Sequence, residues 1–144
     1  PHAFRGNDEA ACLDLMLGSY MAGVALTHAR LGVIHGIAHP LGVQFKAPHG
    51  LVCAVCLPHA LMLNRPHIGP KYDAMSAAVG GVMIDFVSRL LDMLAIKSPF
   101  TGRAIPDRGR IIGETLASGS TKANPKSITR EDVERLLDQL FRHP

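Results

Sequence analysis

The sequence predicts an all-α fold of about six helices. Three observations carry that prediction. Apolar residues recur at spacings of three and four along most segments, the period of one helix face. No run alternates apolar and polar residues between turn residues, as a half-buried strand would. The chain has 144 residues, 47% hydrophobic and 19% charged, a balance that argues against both a disordered segment and a coiled-coil rod. One domain over residues 1–144 accommodates this length. Such a chain can bury about two thirds of its unfolded surface.

The first helix is expected from about Asp8 to His28. Leu13, Met16, Leu17, Tyr20, Met21, Val24 and Leu26 share a helical period. Asn7 is the expected N-cap, and Asp8 and Glu9 suit the positive end of the helix dipole. The apolar face is wide, so this helix is expected to be covered on more than one side. A second helix is expected from Arg30 to Ala38, with Pro40 ending it at His39. LGVQFKAPHG then reads as a loop, punctuated by Gly42, Pro48 and Gly50.

A third helix begins near His49 and is strongly apolar, LVCAVCLPHALMLN, with Pro58 expected to kink or split it. After a break at Asn64, Pro66, Gly69 and Pro70, two helices are expected at Tyr72–Ala78 and Val82–Ala95, around Gly80 and Gly81. Lys97–Arg110 reads as a loop, Ile111–Ala117 as a short helix, and SGSTKANPKS as another loop. The last helix has the clearest local signal. Thr129 is its cap, Asp132 stands three residues later, and Val133, Leu136, Leu137 and Leu140 follow.

Composition excludes several functions. The net charge is only +3, with no Trp and two Tyr. A basic patch interleaved with base-stacking aromatics is therefore absent, and no nucleic-acid partner is expected. Uninterrupted apolar runs such as Leu51–Leu57 fall far short of the ~18 residues of a membrane span. PHAFRGNDEA lacks the basic-then-apolar pattern of a secretory signal, so a cytoplasmic location without membrane association is expected. Three cysteines, an odd number, do not make a disulfide framework. No glycine-rich turn joins a strand to a helix, so no Rossmann nucleotide site is visible.

Charge distribution says more than net charge. No Asp or Glu occurs between Asp14 and Asp73, while that stretch holds six of the eight histidines. His35, His39, His49 and His59 lie close together in sequence. His35 and His39 are four residues apart and project from one helix face. That spacing lets two imidazoles reach one metal ion, but Gly36 stands where a metalloprotease helix needs its general-base Glu. Pro48 and Gly50 fix the backbone around His49. Gly32, Gly36 and Ala38 would let another backbone or a cofactor approach His35 closely. These residues suggest a metal site with at least one ligand missing. His39, His59 or a neighbouring chain could complete it. Imidazole suits zinc, iron, nickel and copper alike. Cys53 and Cys56 form a CxxC, but inside an apolar helix with no second pair it reads as core packing.

The stretch from Gly23 to Asn64, with its AGVA entry, LGVIHGIAHPLG block, PHG block and following LPH, resembles the iron-containing (group III) alcohol dehydrogenases. The C-terminal SGSTKANPKSITREDVERLL is also similar to the end of that family. The resemblance implies a helical bundle like the C-terminal domain of the dehydroquinate-synthase-like fold. It implies a divalent metal, Fe2+ first and Zn2+ second, held by one Asp and three His. His35 and His49 match the last two ligands. His39 matches a histidine beside the nicotinamide and substrate, a candidate for proton transfer and cofactor contact. The resemblance places the Asp, the first His and the NAD- or NADP-binding domain upstream of residue 1. The chain is therefore expected to be a C-terminal portion, inactive alone in alcohol oxidation or aldehyde reduction. Its expected partners are a small alcohol or aldehyde, a cofactor-binding domain and further copies of itself. The alternative is a non-catalytic, self-associating helical module.

Overall fold

A computed structural model describes residues 2–6 and 8–142. The described residues are helical with no strand among them: α1 (His2–Arg5), α2 (Glu9–Ala29), α3 (Val33–Phe45), α4 (His49–Asn64), α5 (Gly69–Ala78), α6 (Met83–Met93), α7 (Arg108–Ala117), α8 (Gly119–Lys122) and α9 (Arg130–Phe141). A 3-10 turn at Arg65–His67 links α4 to α5.

The core is built by α3, α4, α7 and α9. Val33, Ile37, Leu41, Val52, Ile111, Val133 and Leu137 are all essentially inaccessible. Phe100, also fully buried, pins the Lys97–Asp107 connection to this core. It stacks on Phe141 with ring centroids 5.1 Å apart and meets Phe45 edge-on at 5.3 Å. Arg103 covers the outer face of Phe45, its guanidinium 4.7 Å from the ring.

Two prolines lie inside helices. The helix expected to end before Pro40 continues to Phe45, and α4 runs through Pro58 without splitting. A mid-helix proline costs about 3 kcal/mol. The buried residues on both sides of each proline outweigh that cost: Ile37, Ala38, Leu41 and Phe45 in α3, and Val52, Val55, Cys56 and Ala60 in α4. Pro40 itself is fully buried. α3 instead stops at Lys46, which adopts a left-handed conformation at φ 51° while Ala47 N–H donates to Gly42 O.

α9 has the expected start. Thr129 Oγ1 accepts from Asp132 N–H, and the Asp132 carboxylate accepts from Thr129 N–H, a complete capping box. Burial works against the Asp132 charge, but the Lys126 ammonium and the Thr129 amide and hydroxyl outweigh it and hold the carboxyl below its usual value. The segment expected as a loop after α7 contains α8. Ser118 caps it, accepting from Ser120 N–H, and Thr121 is buried against α3.

The largest departure is α2. Asn7, the expected cap, lies outside the described residues; Asp8 occupies the cap and accepts from Ala11 N–H at 3.0 Å. No residue of α2 is buried, in contrast to the coverage its wide apolar face predicts. Leu13, Met16, Leu17, Tyr20 and Met21 are all more than half exposed. The helix packs along α1 and shares only a shallow groove with α6, where Ala11 and Leu15 face Phe86, Leu90 and Leu94. Periodicity identifies an apolar face but carries no information about what covers it. By length and composition α2 is also the one helix among the described residues long and apolar enough to cross a membrane. Counting uninterrupted runs overlooked it because Asp14, Ser19 and Thr27 punctuate the sequence.

Candidate metal centre

The site is assembled from the first turns of α3 and α4. The start of α3 is fixed by Asn124, whose Oδ1 accepts from Val33 N–H at 3.2 Å and from Asn64 Nδ2 at 3.1 Å. Asn124 Nδ2 in turn donates to Asn64 Oδ1 and to Lys126 O. Both asparagines are buried. The network ties the beginning of α3, the end of α4 and the loop before α9 into one unit. Gly32 is needed here, since a Cβ would sit 2.9 Å from Asn124 Oδ1.

Gly36 makes the second anchor. A Cβ at this position would lie 1.9 Å from Thr121 Oγ1 and 3.4 Å from Thr115 O. Its absence lets α3 sit directly on α7 and α8. The close approach expected from the small residues around His35 is thus made by Thr121 and Thr115.

On this frame His35, half-buried, faces His49, which is exposed on the first turn of α4. Their ring centroids are 5.3 Å apart and the rings are tilted by 49°. Burial lowers the His35 pKa, and the neighbouring His49 imidazole lowers it further. Both effects favour the neutral ring, the form that can donate a lone pair to a metal.

The third member of the cluster is Cys53. Its Sγ lies 3.4 Å from His49 Nε2, and donor atoms of His35, His49 and Cys53 are all within 4.8 Å of one another. The sequence reading treated Cys53 as packing. The overlooked signal was its spacing: Cys53 follows His49 by four residues on one helix, the same interval that drew attention to His35 and His39. Cys56 behaves as packing should. It is 2% exposed within the core, and burial, reinforced by Cys53, pushes its thiol up to about 12.

The four histidines do not converge. His39 is exposed and lines an open groove with Gly36, Pro40, Glu114, Ala117 and Ser118. His59 lies ten residues beyond His49 on α4, about 15 Å along the axis. It lines a separate cavity with Met62, Asp132, Arg135 and Gln139. Neither joins the His35–His49–Cys53 group.

The donor set fits a divalent transition metal. Metal–nitrogen bonds of about 2.0–2.1 Å and metal–sulfur bonds of about 2.3 Å require tetrahedral edges of roughly 3.3–3.6 Å. One edge of the cluster already has that length, and the other donor atoms lie within 4.8 Å of one another. No carboxylate belongs to the group.

Comparison with known proteins identifies the family of the chain. The profile of the Fe-containing alcohol dehydrogenase family, C-terminal, matches residues 2–141. Lactaldehyde reductase from Escherichia coli is 33% identical over 93% of this chain and 40% of its own length. Maleylacetate reductase 1 from Cupriavidus pinatubonensis is 31% identical, over 94% and 38% respectively. The crystal structure of a 1,3-propanediol oxidoreductase superimposes with a TM-score of 0.75 at 25% identity, covering 83% of this chain and 35% of the other. An iron-containing alcohol dehydrogenase from Thermococcus thioreducens shares the fold, with a TM-score of 0.71. The chain thus spans about 40% of the length of the curated relatives it matches. It belongs to the Fe-containing alcohol dehydrogenase family and corresponds to the family's C-terminal domain.

Proposed function

We propose that this chain is the metal-binding, substrate-side domain of an NAD(P)-dependent alcohol dehydrogenase, one that oxidises alcohols or reduces aldehydes and ketones when complete. The observation that carries the reading is the ring-to-ring pairing of His35 and His49, 5.3 Å apart on the first turns of α3 and α4. His35 and His49 would hold the divalent ion, Fe2+ first and Zn2+ second. When bound, the ion supplies Lewis-acid polarisation of an alcohol or carbonyl oxygen, and the nicotinamide gives or takes hydride.

His39 has a different task. It stands on the same helix as His35, in a groove open to solvent. An exposed imidazole there can contact the nicotinamide and pass a proton between substrate and water. The implied partners are a small alcohol or aldehyde and an NAD- or NADP-binding domain.

The test uses the purified 144-residue chain with NADH or NADPH, short aldehydes and added ferrous iron. No turnover is expected from this chain alone, because hydride transfer needs a bound nicotinamide. Clear turnover would overturn that part of the reading. A His35→Ala variant with undiminished metal affinity would overturn the ligand assignment.

A second reading rests on a separate observation, the uncovered face of α2. An exposed apolar strip of this extent is a surface for association. It supports self-association of the chain, or docking to another domain. A dilution-stable monomer that binds no hydrophobic dye would refute it.

A further inference from the structure

Two histidines do not complete a metal centre, and the structure supplies a donor that the family pattern does not. Cys53 Sγ is 3.4 Å from His49 Nε2. For bonds of about 2.05 Å to nitrogen and 2.3 Å to sulfur, the tetrahedral N–S edge is about 3.5 Å. The pair therefore already stands at ligand spacing. His35 brings its nitrogen to the same point from another helix, within 4.8 Å of both. The helix itself holds the arrangement, since His49 and Cys53 lie one turn apart on α4. The other cysteines are differently placed. Cys12 is exposed on α2, and Cys56 is sealed in the core.

We propose that Cys53 is a thiolate ligand of the metal centre, which makes the chain's own donor set His35, His49 and Cys53. The inference rests on the metal-site reading above and revises its order of ions, placing zinc before ferrous iron. Two imidazoles and a thiolate form a softer set than imidazoles with a carboxylate. They favour zinc, with cobalt(II) as its spectroscopic substitute, over ferrous iron. Binding is a ligand exchange. The thiol gives up one proton to solvent, the sulfur lone pair forms the metal bond, and no redox change occurs.

The competing account of the 3.4 Å contact is a thiol–imidazole hydrogen bond with no part in metal binding. Anaerobic titration of the 144-residue chain with cobalt(II), followed by absorption, separates the two. The expected result is a near-ultraviolet thiolate-to-cobalt charge-transfer band that saturates at one ion per chain and is displaced by zinc. Cys53→Ser should abolish the band and weaken zinc binding by about tenfold or more, while Cys12→Ser should leave both unchanged. The wild-type band does not depend on a variant folding, and circular dichroism checks that Cys53→Ser does. Cobalt binding without the band would overturn the thiolate and leave the histidine site standing. A band that survives Cys53→Ser would overturn it by assigning the sulfur elsewhere. No cobalt or zinc binding at all would overturn both this inference and the reading beneath it.

Discussion

Gly36→Ala tests whether helix contact positions the site. In an isolated helix this change would stabilise by about 1 kcal/mol, because alanine restricts the unfolded chain more than glycine does. The structure reverses the sign. The new Cβ would lie 1.9 Å from Thr121 Oγ1 and 3.2 Å from Thr121 Cβ, with Thr115 O a further 3.4 Å neighbour. Rotating Thr121 about its Cα–Cβ bond moves Oγ1 and Cγ2 but leaves Cβ in place, and both threonines are buried. Overpacking costs about 1–3 kcal/mol; a clash at 1.9 Å belongs in the upper part of that range, about 2–3 kcal/mol, so after the helix gain a net loss of about 1–2 kcal/mol is expected. The same push moves α3 off α8 and displaces His35 from His49, so zinc affinity should fall as well. Urea unfolding followed by far-ultraviolet circular dichroism measures the first effect, and zinc titration the second. Thr121→Ala in the Gly36→Ala background removes the clashing oxygen and should recover stability, giving a coupling of about 1 kcal/mol or more in the double-mutant cycle. A Gly36→Ala variant as stable as the wild type, with unchanged zinc affinity, would refute the reasoning.

Asn124→Ala should cost about 2–4 kcal/mol, since it strands the Val33 amide and the buried Asn64 side chain; a loss below 1 kcal/mol would show that the network does not anchor α3. Asp132 is held below its ordinary value, so its contribution is present above about pH 4 and is lost as pH falls through the lowered folded value. Asp132→Asn should flatten that acid limb of the stability profile, and an unchanged limb would contradict the assignment. His35 should titrate below the ordinary histidine value in a ring-proton NMR titration, and His49→Ala should raise it part of the way. A wild-type midpoint at or above about 6.5 would contradict the geometry. Replacing exposed Leu17 and Met21 with Glu should reduce light scattering from the chain while leaving its helical content unchanged, and an unchanged association state would move the contact away from α2.

Much of the architecture was legible because it is encoded locally. Thr129 and Asp132 announce α9 through a pair of reciprocal hydrogen bonds that need no other part of the chain. The glycines and prolines from Asn64 to Pro70 mark a real break. What failed was long-range. Pro40 signals termination, and only the burial around it explains why α3 continues. Thr121 reads as loop until its burial against Gly36 is seen. The exposure of α2 is invisible to periodicity, which assigns a face without naming its cover.

The site shows the same division. His35 and His39 share a helix and an interval of four, yet the tertiary fold gives His35 to His49 and leaves His39 in an open groove. Pairing across helices depends on how α3 is seated by Asn124 and Gly36, both distant in sequence from what they touch. Cys53 was within reach of the sequence, since the helical interval from His49 is the same. The CxxC pattern drew attention to the wrong partner, Cys56, which lies in the core.

The central claim is that His35 and His49 form one metal site. Anaerobic calorimetric titration of the 144-residue chain with zinc and with ferrous ions tests it most directly, with His35→Ala and His49→Ala titrated alongside. The account predicts one ion per wild-type chain and a loss of affinity of about tenfold or more in each variant. Binding of equal strength in wild type and both variants, or none in the wild type, would contradict it.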